Sequence, residues 1–187
     1  MTDAERQLLE LLTARSFKRG TFTLVSGATS SYYIDGKMSE VFSQGAFLIG
    51  RVLYERTKDL PVDAIGGLEV GAVPLTAAAV IHYHLNGRTM EGFWVRDKAK
   101  AHGTRKLVEG GGVGPGSRVV VLDDVITTGG SSVKAVDAVR EAGAEVVRVL
   151  ALVDRLQGAA KTFAERGIEY QSVFTTRDFG VDVPDAR

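Results

Sequence analysis

Along this 187-residue chain, short unbroken apolar runs alternate with stretches whose apolar positions recur every three or four residues. The first pattern suits strands buried on both faces, the second amphipathic helices. The clearest run is Val119–Leu122. It leads straight into two carboxylates, Asp123 and Asp124, and then into a loop of small and hydroxylic residues, Thr127-Thr128-Gly129-Gly130-Ser131. Two adjacent acids cannot stay in a core, so they mark the rim of a sheet. A helical pattern begins directly beyond the loop.

The other elements follow in order. Thr2-Asp3-Ala4-Glu5 reads as a capping box before a helix carrying Leu8, Leu9, Leu11 and Leu12, which fades near Arg15–Gly20. Phe22–Val25 and Ser31–Asp35 read as short strands around a turn, forming a small N-terminal hood over residues 1–42. Ser43 is expected to cap a helix to about Arg56, followed by a strand at Asp63–Gly67 and a loop at Leu68–Val73. Pro74 is expected at the first position of an Ala-rich helix that stops at Asn86-Gly87. Thr89–Val95 reads as a strand with Trp94 in the core, and Arg96–Gly116 as one long glycine-punctuated loop. After the central strand come a helix stopped by Gly143, a strand at Val146–Val153, a helix at Ala159–Arg166 and a strand at Tyr170–Phe174.

From residue 43 onward strand and helix alternate, which predicts an α/β fold with a doubly wound parallel sheet, in a single domain with a mobile lid near 96–116. Ligands of such sheets bind beyond the carboxyl ends of the strands. Composition narrows the partners. Lys plus Arg equals Asp plus Glu at 23 each, so no global charge points to nucleic acid or a membrane. There is no cysteine, which excludes disulfides, thiolate metal sites and a Cys nucleophile. The acidic start MTDAERQLLELL lacks the pattern of a signal peptide, and no apolar run approaches the ~18 residues of a membrane span. The expectation is a soluble cytoplasmic protein.

Glycines and hydroxyls at a helix N-terminus offer N–H groups and a positive dipole end to an anion. Carboxylates for hydroxyls beside such a nest suit a phosphorylated sugar. A pair of acids alone would equally suit a solvated strand end or a helix cap, so the adjacent loop is what makes the motif specific. The stretch RDKAKAHGTRK gathers Arg96, Lys98, Lys100, Arg105 and Lys106 around His102, opposed only by Asp97. By itself it reads as a solvated loop. In a neutral protein it also reads as a clamp for a polyanion, with Gly103 and Gly110–Gly116 as joints. His82 and His84 are two residues apart on a helix and do not share a face, which disfavours metal binding.

The strand–Asp–Asp–Thr/Gly loop resembles the signature of the type I phosphoribosyltransferase family, which binds 5-phosphoribosyl 1-diphosphate (PRPP). The resemblance implies that Asp123 and Asp124 hold the ribose hydroxyls, directly or through Mg²⁺-bound water, and that Val125, Ile126, Thr127, Thr128, Gly129, Gly130 and Ser131 wrap the 5′-phosphate. Arg-x-x-x-Lys-x-His-Gly at Arg96–Gly103, Val153-Asp154-Arg155 and FTLVSGATSSYYIDGK are similar to the orotate branch of that family. That likeness implies that Arg96, Lys98, Lys100 and His102 contact PRPP, with Lys100, His102 and Asp124 catalytic. It places Tyr33, Ile34, Thr127 and Arg155 on orotate. It further implies Mg²⁺ held by PRPP rather than by direct protein ligands, pyrophosphate as leaving group, and a homodimer sharing the lid. Three cations familiar in the family are absent: Asp97 follows the loop's arginine, Val25 precedes Ser26-Gly27, and Glu69-Val70 stands where some members carry Tyr-Lys. Lys37 and Lys98 are candidate substitutes. Two other readings stay open: a PRPP-binding regulator without turnover, and a type I phosphoribosyltransferase for another base.

Overall fold

The computed structural model describes residues 1–23, 29–98 and 107–181. Helix α1 (Asp3–Arg15) begins with the expected capping box, Thr2 and Glu5 satisfying each other's backbone N–H groups. Strands β1 (Phe17–Thr23) and β2 (Thr29–Ile34) form a separate two-stranded antiparallel sheet. Strand β1 starts five residues earlier than its sequence pattern indicates. Phe17 explains this, because its ring stacks 6.0 Å from Tyr32 and 5.4 Å from Phe179 and so ties the strand to the body.

The body contains α2 (Lys37–Glu40), α3 (Ser43–Thr57), β3 (Ala64–Leu68), α4 (Ala72–Leu85), β4 (Glu91–Val95), β5 (Val108–Gly110), β6 (Arg118–Ile126), α5 (Gly130–Glu141), β7 (Glu145–Asp154), α6 (Ala159–Glu165), β8 (Tyr170–Thr175) and a 3₁₀ turn at Thr176–Phe179. Six strands are ordered β5-β4-β3-β6-β7-β8. Five of them are parallel, and β5 joins β4 antiparallel at one edge. The sheet is therefore mixed, and the stretch read as one long loop contains a strand. The three residues Val108-Glu109-Gly110 are too few to show periodicity, and pairing with β4 supplies the rest.

Alternation along β6 explains why it is the middle of the fold. Val120 and Leu122 enter one core with residues of α1, α3 and α4. Val119 and Val121 enter the opposite core with residues of α5 and Phe163 of α6. An unbroken apolar run is what a strand covered on both faces requires. Among the described residues no helix is long and apolar enough to cross a membrane.

Two helix starts differ from expectation. Ser43 is the first helical residue of α3, and Phe42 stands at the cap, its ring 4.0 Å beneath the Arg15 guanidinium. Pro74 is the third residue of α4, which starts at Ala72. Any position in the first turn tolerates proline, since those N–H groups have no partner within the helix. Trp94 is 36% exposed, a correction to its expected place in the core. It lies on β4, which the helices do not cover fully. His82 is buried with its ring 5.0 Å from Phe47, while His84 is exposed, so the two are indeed on different faces.

Candidate active site

The sheet order reverses between β3 and β6. From β3 the chain proceeds outward to β4, whereas from β6 it proceeds the other way, to β7 and β8. The two loops leaving this point diverge and open a crevice at the carboxyl ends of the strands. Pairing of β3 with β6 ends at Gly67 opposite Leu122, but β6 stays paired with β7 as far as Ile126 opposite Asp154. Asp123 and Asp124 therefore remain inside the strand, corrected by a few residues from the expected end, with their β3 side unpaired. A cleft of about 450 Å³ occupies that side. Its walls are Leu68, Glu69 and Gly71 on one flank and Asp123 to Ser131 with Lys134 on the other.

All nine residues of the Asp123–Ser131 motif thus line one cavity. The turn into α5 is built for an anion. Gly129, the residue preceding the helix, has φ +88°, and no side chain caps the first turn. Left-handed backbone there favours glycine. Uncapped N–H groups at the start of a 12-residue helix carry the partial positive charge of its dipole into the cleft. Thr127, Thr128 and Ser131 add hydroxyls to the same wall.

The two aspartates differ. Asp123 accepts a hydrogen bond from the buried Ser132 hydroxyl, which fixes its rotamer. Burial raises its pKa to about 6, against the lowering effect of that bond, and the Asp124 charge raises it further. Asp124 is 15% exposed and lies 3.8 Å from Lys37 Nζ. Behind it sits Glu40, 2% exposed, whose carboxyl oxygens have no hydrogen-bond donor beside them. Burial first, and then the Asp124 charge, push Glu40 up to about 8, with Lys37 opposing.

This has a measurable consequence. The folded protein holds a proton on Glu40 that an unfolded carboxyl, with an ordinary pKa near 4.5, releases. The folded state thus binds more protons between these values, and its stability falls as pH rises from about 4.5 to about 8. In melting curves across that range, Glu40→Gln is expected to gain stability relative to the parent as pH rises. Parallel pH profiles would show that Glu40 is already ionised in the fold.

Arg155 follows β7 on the same rim. Its backbone N–H bonds the Ile126 carbonyl at 2.9 Å, one residue before Thr127. Its guanidinium lies 4.9 Å over the Tyr32 ring, and Nε donates to the Tyr32 hydroxyl at 3.3 Å. The side chain is 9% exposed, yet Nη2 has no partner among the described residues. The neighbouring Asp154 does not pair with it. That carboxylate instead accepts from the Leu156 N–H at 2.7 Å and the Tyr170 hydroxyl at 2.8 Å, pinning the turn that presents Arg155. A buried cation with an unused donor on a ligand-binding rim is prepared for an anion from outside.

Strand β2 brings the hood to this point. Ser30, Tyr32 and Ile34 face inward, and Tyr33 faces outward, 42% exposed, with its ring 5.5 Å from Phe22. Tyr33 and Ile34 leave opposite faces of the strand, so their side chains cannot both lie against one ring. Tyr32, which the sequence did not single out, is the hood residue that meets Arg155.

Beyond β4, Arg96 N–H bonds the Leu107 carbonyl at 2.9 Å, next to the paired strands β4 and β5. Arg96 is half-buried, its Nε without a partner among the described residues, and Lys98 is exposed. Asp97 accepts from Lys134 Nζ at 3.0 Å, and its backbone N–H donates to Glu69 at 3.3 Å, linking the end of β4 to both cleft walls. Lys100 and His102, with Val25, lie outside the described residues. Among the described residues no group of three or more acids and histidines could hold a metal ion.

Comparison with known proteins shows the family of the chain. The phosphoribosyl transferase domain family matches residues 39–183. An orotate phosphoribosyltransferase of Rhodopseudomonas palustris is 44% identical over 176 residues, covering 92% of this chain and 94% of its own. The crystal structure of Mycobacterium tuberculosis orotate phosphoribosyltransferase with Fe(III) dicitrate superposes with a TM-score of 0.84 at 40% identity, covering 95% of this chain and 99% of the other. The same enzyme in complex with PRPP gives a TM-score of 0.80 at 38% identity, over 95% and 99% of the two chains.

Proposed function

Since this chain belongs to the phosphoribosyl transferase family, on its orotate branch, we infer that its cleft transfers the 5-phosphoribosyl group of PRPP to N1 of orotate. The products are orotidine 5′-monophosphate and pyrophosphate, a step of UMP synthesis. The observation that carries the choice of orotate is the buried Arg155 guanidinium with its free Nη2. Orotate is a planar monoanion with a carboxylate, and a guanidinium fork matches that shape. A neutral purine would leave this charge buried and unanswered.

The residues divide the work as follows. The amides of the turn into α5 take the 5′-phosphate. Asp123, held by Ser132, and Asp124, near Lys37, take the ribose hydroxyls. Arg155 and the inner face of β2 hold orotate against Thr127. Arg96, Lys98, Lys100 and His102 close over the diphosphate and exclude water while negative charge grows on the leaving group.

Mg²⁺ fits this donor set as an ion carried in by PRPP. Asp123 and Asp124 on the cleft wall would hold such an ion through its bound waters. Its chemistry there is to offset the charge of the departing pyrophosphate. Exposed apolar residues on neighbouring helices, Phe47 of α3 with Ile81 and Leu85 of α4, support a homodimer whose lid serves the partner's site. A cytoplasmic location agrees with the soluble substrates.

Orotate absorbance on mixing with PRPP and Mg²⁺ tests the reaction. A fall with orotate, and no turnover with hypoxanthine or uracil, is the expected result; no turnover with any of the three would leave a PRPP-binding regulator. Lys100→Ala is expected to lower the rate about 10²-fold, the scale of one preorganised charge contact. Full activity in that variant would remove Lys100 from the mechanism.

A further inference from the structure

We propose that Glu40 is a positioning residue for Asp124, its carboxyl donating a hydrogen bond that fixes the aspartate toward the ribose. The proposal rests on the reading of the cleft as a PRPP site. It starts from packing. Asp124 is wedged between two glycines: a Cβ on Gly71 would lie 2.4 Å from one of its carboxyl oxygens, and a Cβ on Gly36 would lie 3.5 Å from the other. The Gly36 position is also only 2.2 Å from Glu40 Oε1. A methyl group at either place would displace the carboxyl beside it, so the two glycines leave the room in which this pair of acids is seated.

Glu40 has no other use that the structure reveals. It ends the four-residue helix α2, is 2% exposed, and neither oxygen has a donor near it. A buried carboxylate in that condition carries a large desolvation cost. The two carboxyls border the same Gly36 position, and two carboxyls that close resist being charged together. A proton shared with Asp124 resolves both problems. Of the two, Glu40 is the more deeply buried, and Lys37 lies 3.8 Å from Asp124 Oδ2, so the charge stays on Asp124 and the proton on Glu40. Asp35 adds negative charge nearby and further disfavours ionised Glu40. The result is an aspartate held from behind by an O–H donor and left charged toward the cleft.

A glutamine at this position can donate through its amide in the same place, whereas leucine fills the volume without donating and aspartate is too short to reach. The expected result is a KM for PRPP within about twofold of the parent for Glu40→Gln and raised about tenfold for Glu40→Leu and Glu40→Asp, with the KM for orotate unchanged; a charge-assisted hydrogen bond has that scale. An unchanged PRPP KM in the leucine and aspartate variants would overturn the proposal, as would a loss in the glutamine variant equal to theirs. Infrared difference spectra on adding PRPP keep the test decisive if a variant fails to fold. The parent is expected to show a shift of a protonated-carboxyl band that Glu40→Gln lacks, and absence of that band from the parent sinks the idea. Calorimetry of PRPP on the parent separates the two levels: no binding there would remove the site itself, and Glu40's role with it.

Discussion

Arg155→Ala is expected to lower kcat/KM for orotate by roughly 10³-fold while leaving the KM for PRPP within about threefold. Truncating one partner of a buried charge contact costs about 2–5 kcal/mol, and about 4 kcal/mol corresponds to three decades of rate. The side chain is already buried and partly oriented before substrate arrives, by Tyr32 beneath it and by the Asp154–Tyr170 hydrogen bond that pins its turn. Little ordering remains to be done on binding, which is why the loss should be large. Arg155→Lys is expected to recover only part of it, because an ammonium cannot reproduce a planar fork. Steady-state kinetics with each substrate varied in turn provides the check. An equal loss toward PRPP and orotate would mean that Arg155 supports the whole rim rather than the base. An unchanged orotate KM would place the carboxylate elsewhere.

Gly66→Ala is expected to destabilise the fold by at least about 3 kcal/mol, a drop in Tm of about 6–12 °C for a chain of this length. Gly66 lies in β3, between β4 and β6. A Cβ there would stand 2.0 Å from the Phe93 carbonyl oxygen and 2.7 Å from the Phe93 ring. The obstacle is the backbone of a paired strand beside a fully buried ring, and neither can move without opening the ladder. Because β3 forms one lip of the cleft, PRPP binding should weaken along with stability. Gly114→Ala is the control, since nothing lies within 4 Å of its added atom, and its Tm should stay within about 1 °C. Equal melting of the two variants would show that the β3–β4 spacing tolerates a methyl group.

The Asp123–Ser131 motif was readable because its pieces are contiguous. A strand buried on both faces, two acids and an anion-binding turn follow one another within fourteen residues, and the tertiary structure only wraps them around a cleft. The hood was less readable. Period-two alternation places Tyr32 and Ile34 together and Tyr33 opposite, but which face meets the body depends on Phe17, Phe179 and Arg155, all distant in sequence. Glu40 gave no signal, because a glutamate at the end of a short helix ordinarily faces water. Its burial shows only once α2 is packed against α1 and α3.

From sequence alone came the α/β alternation, the phosphate-and-ribose strip and the likeness that pointed to orotate. These depend on local pattern, where hydrophobic period and turn chemistry act over a few residues. The tertiary structure decided the mixed edge at β5, the unpaired side of Asp123 and Asp124, the exposure of Trp94, and the partners of Arg155 and Glu40. Each of those depends on which distant strand or helix comes to lie alongside, and burial and pairing of that kind are properties of the packed sheet rather than of any segment within it.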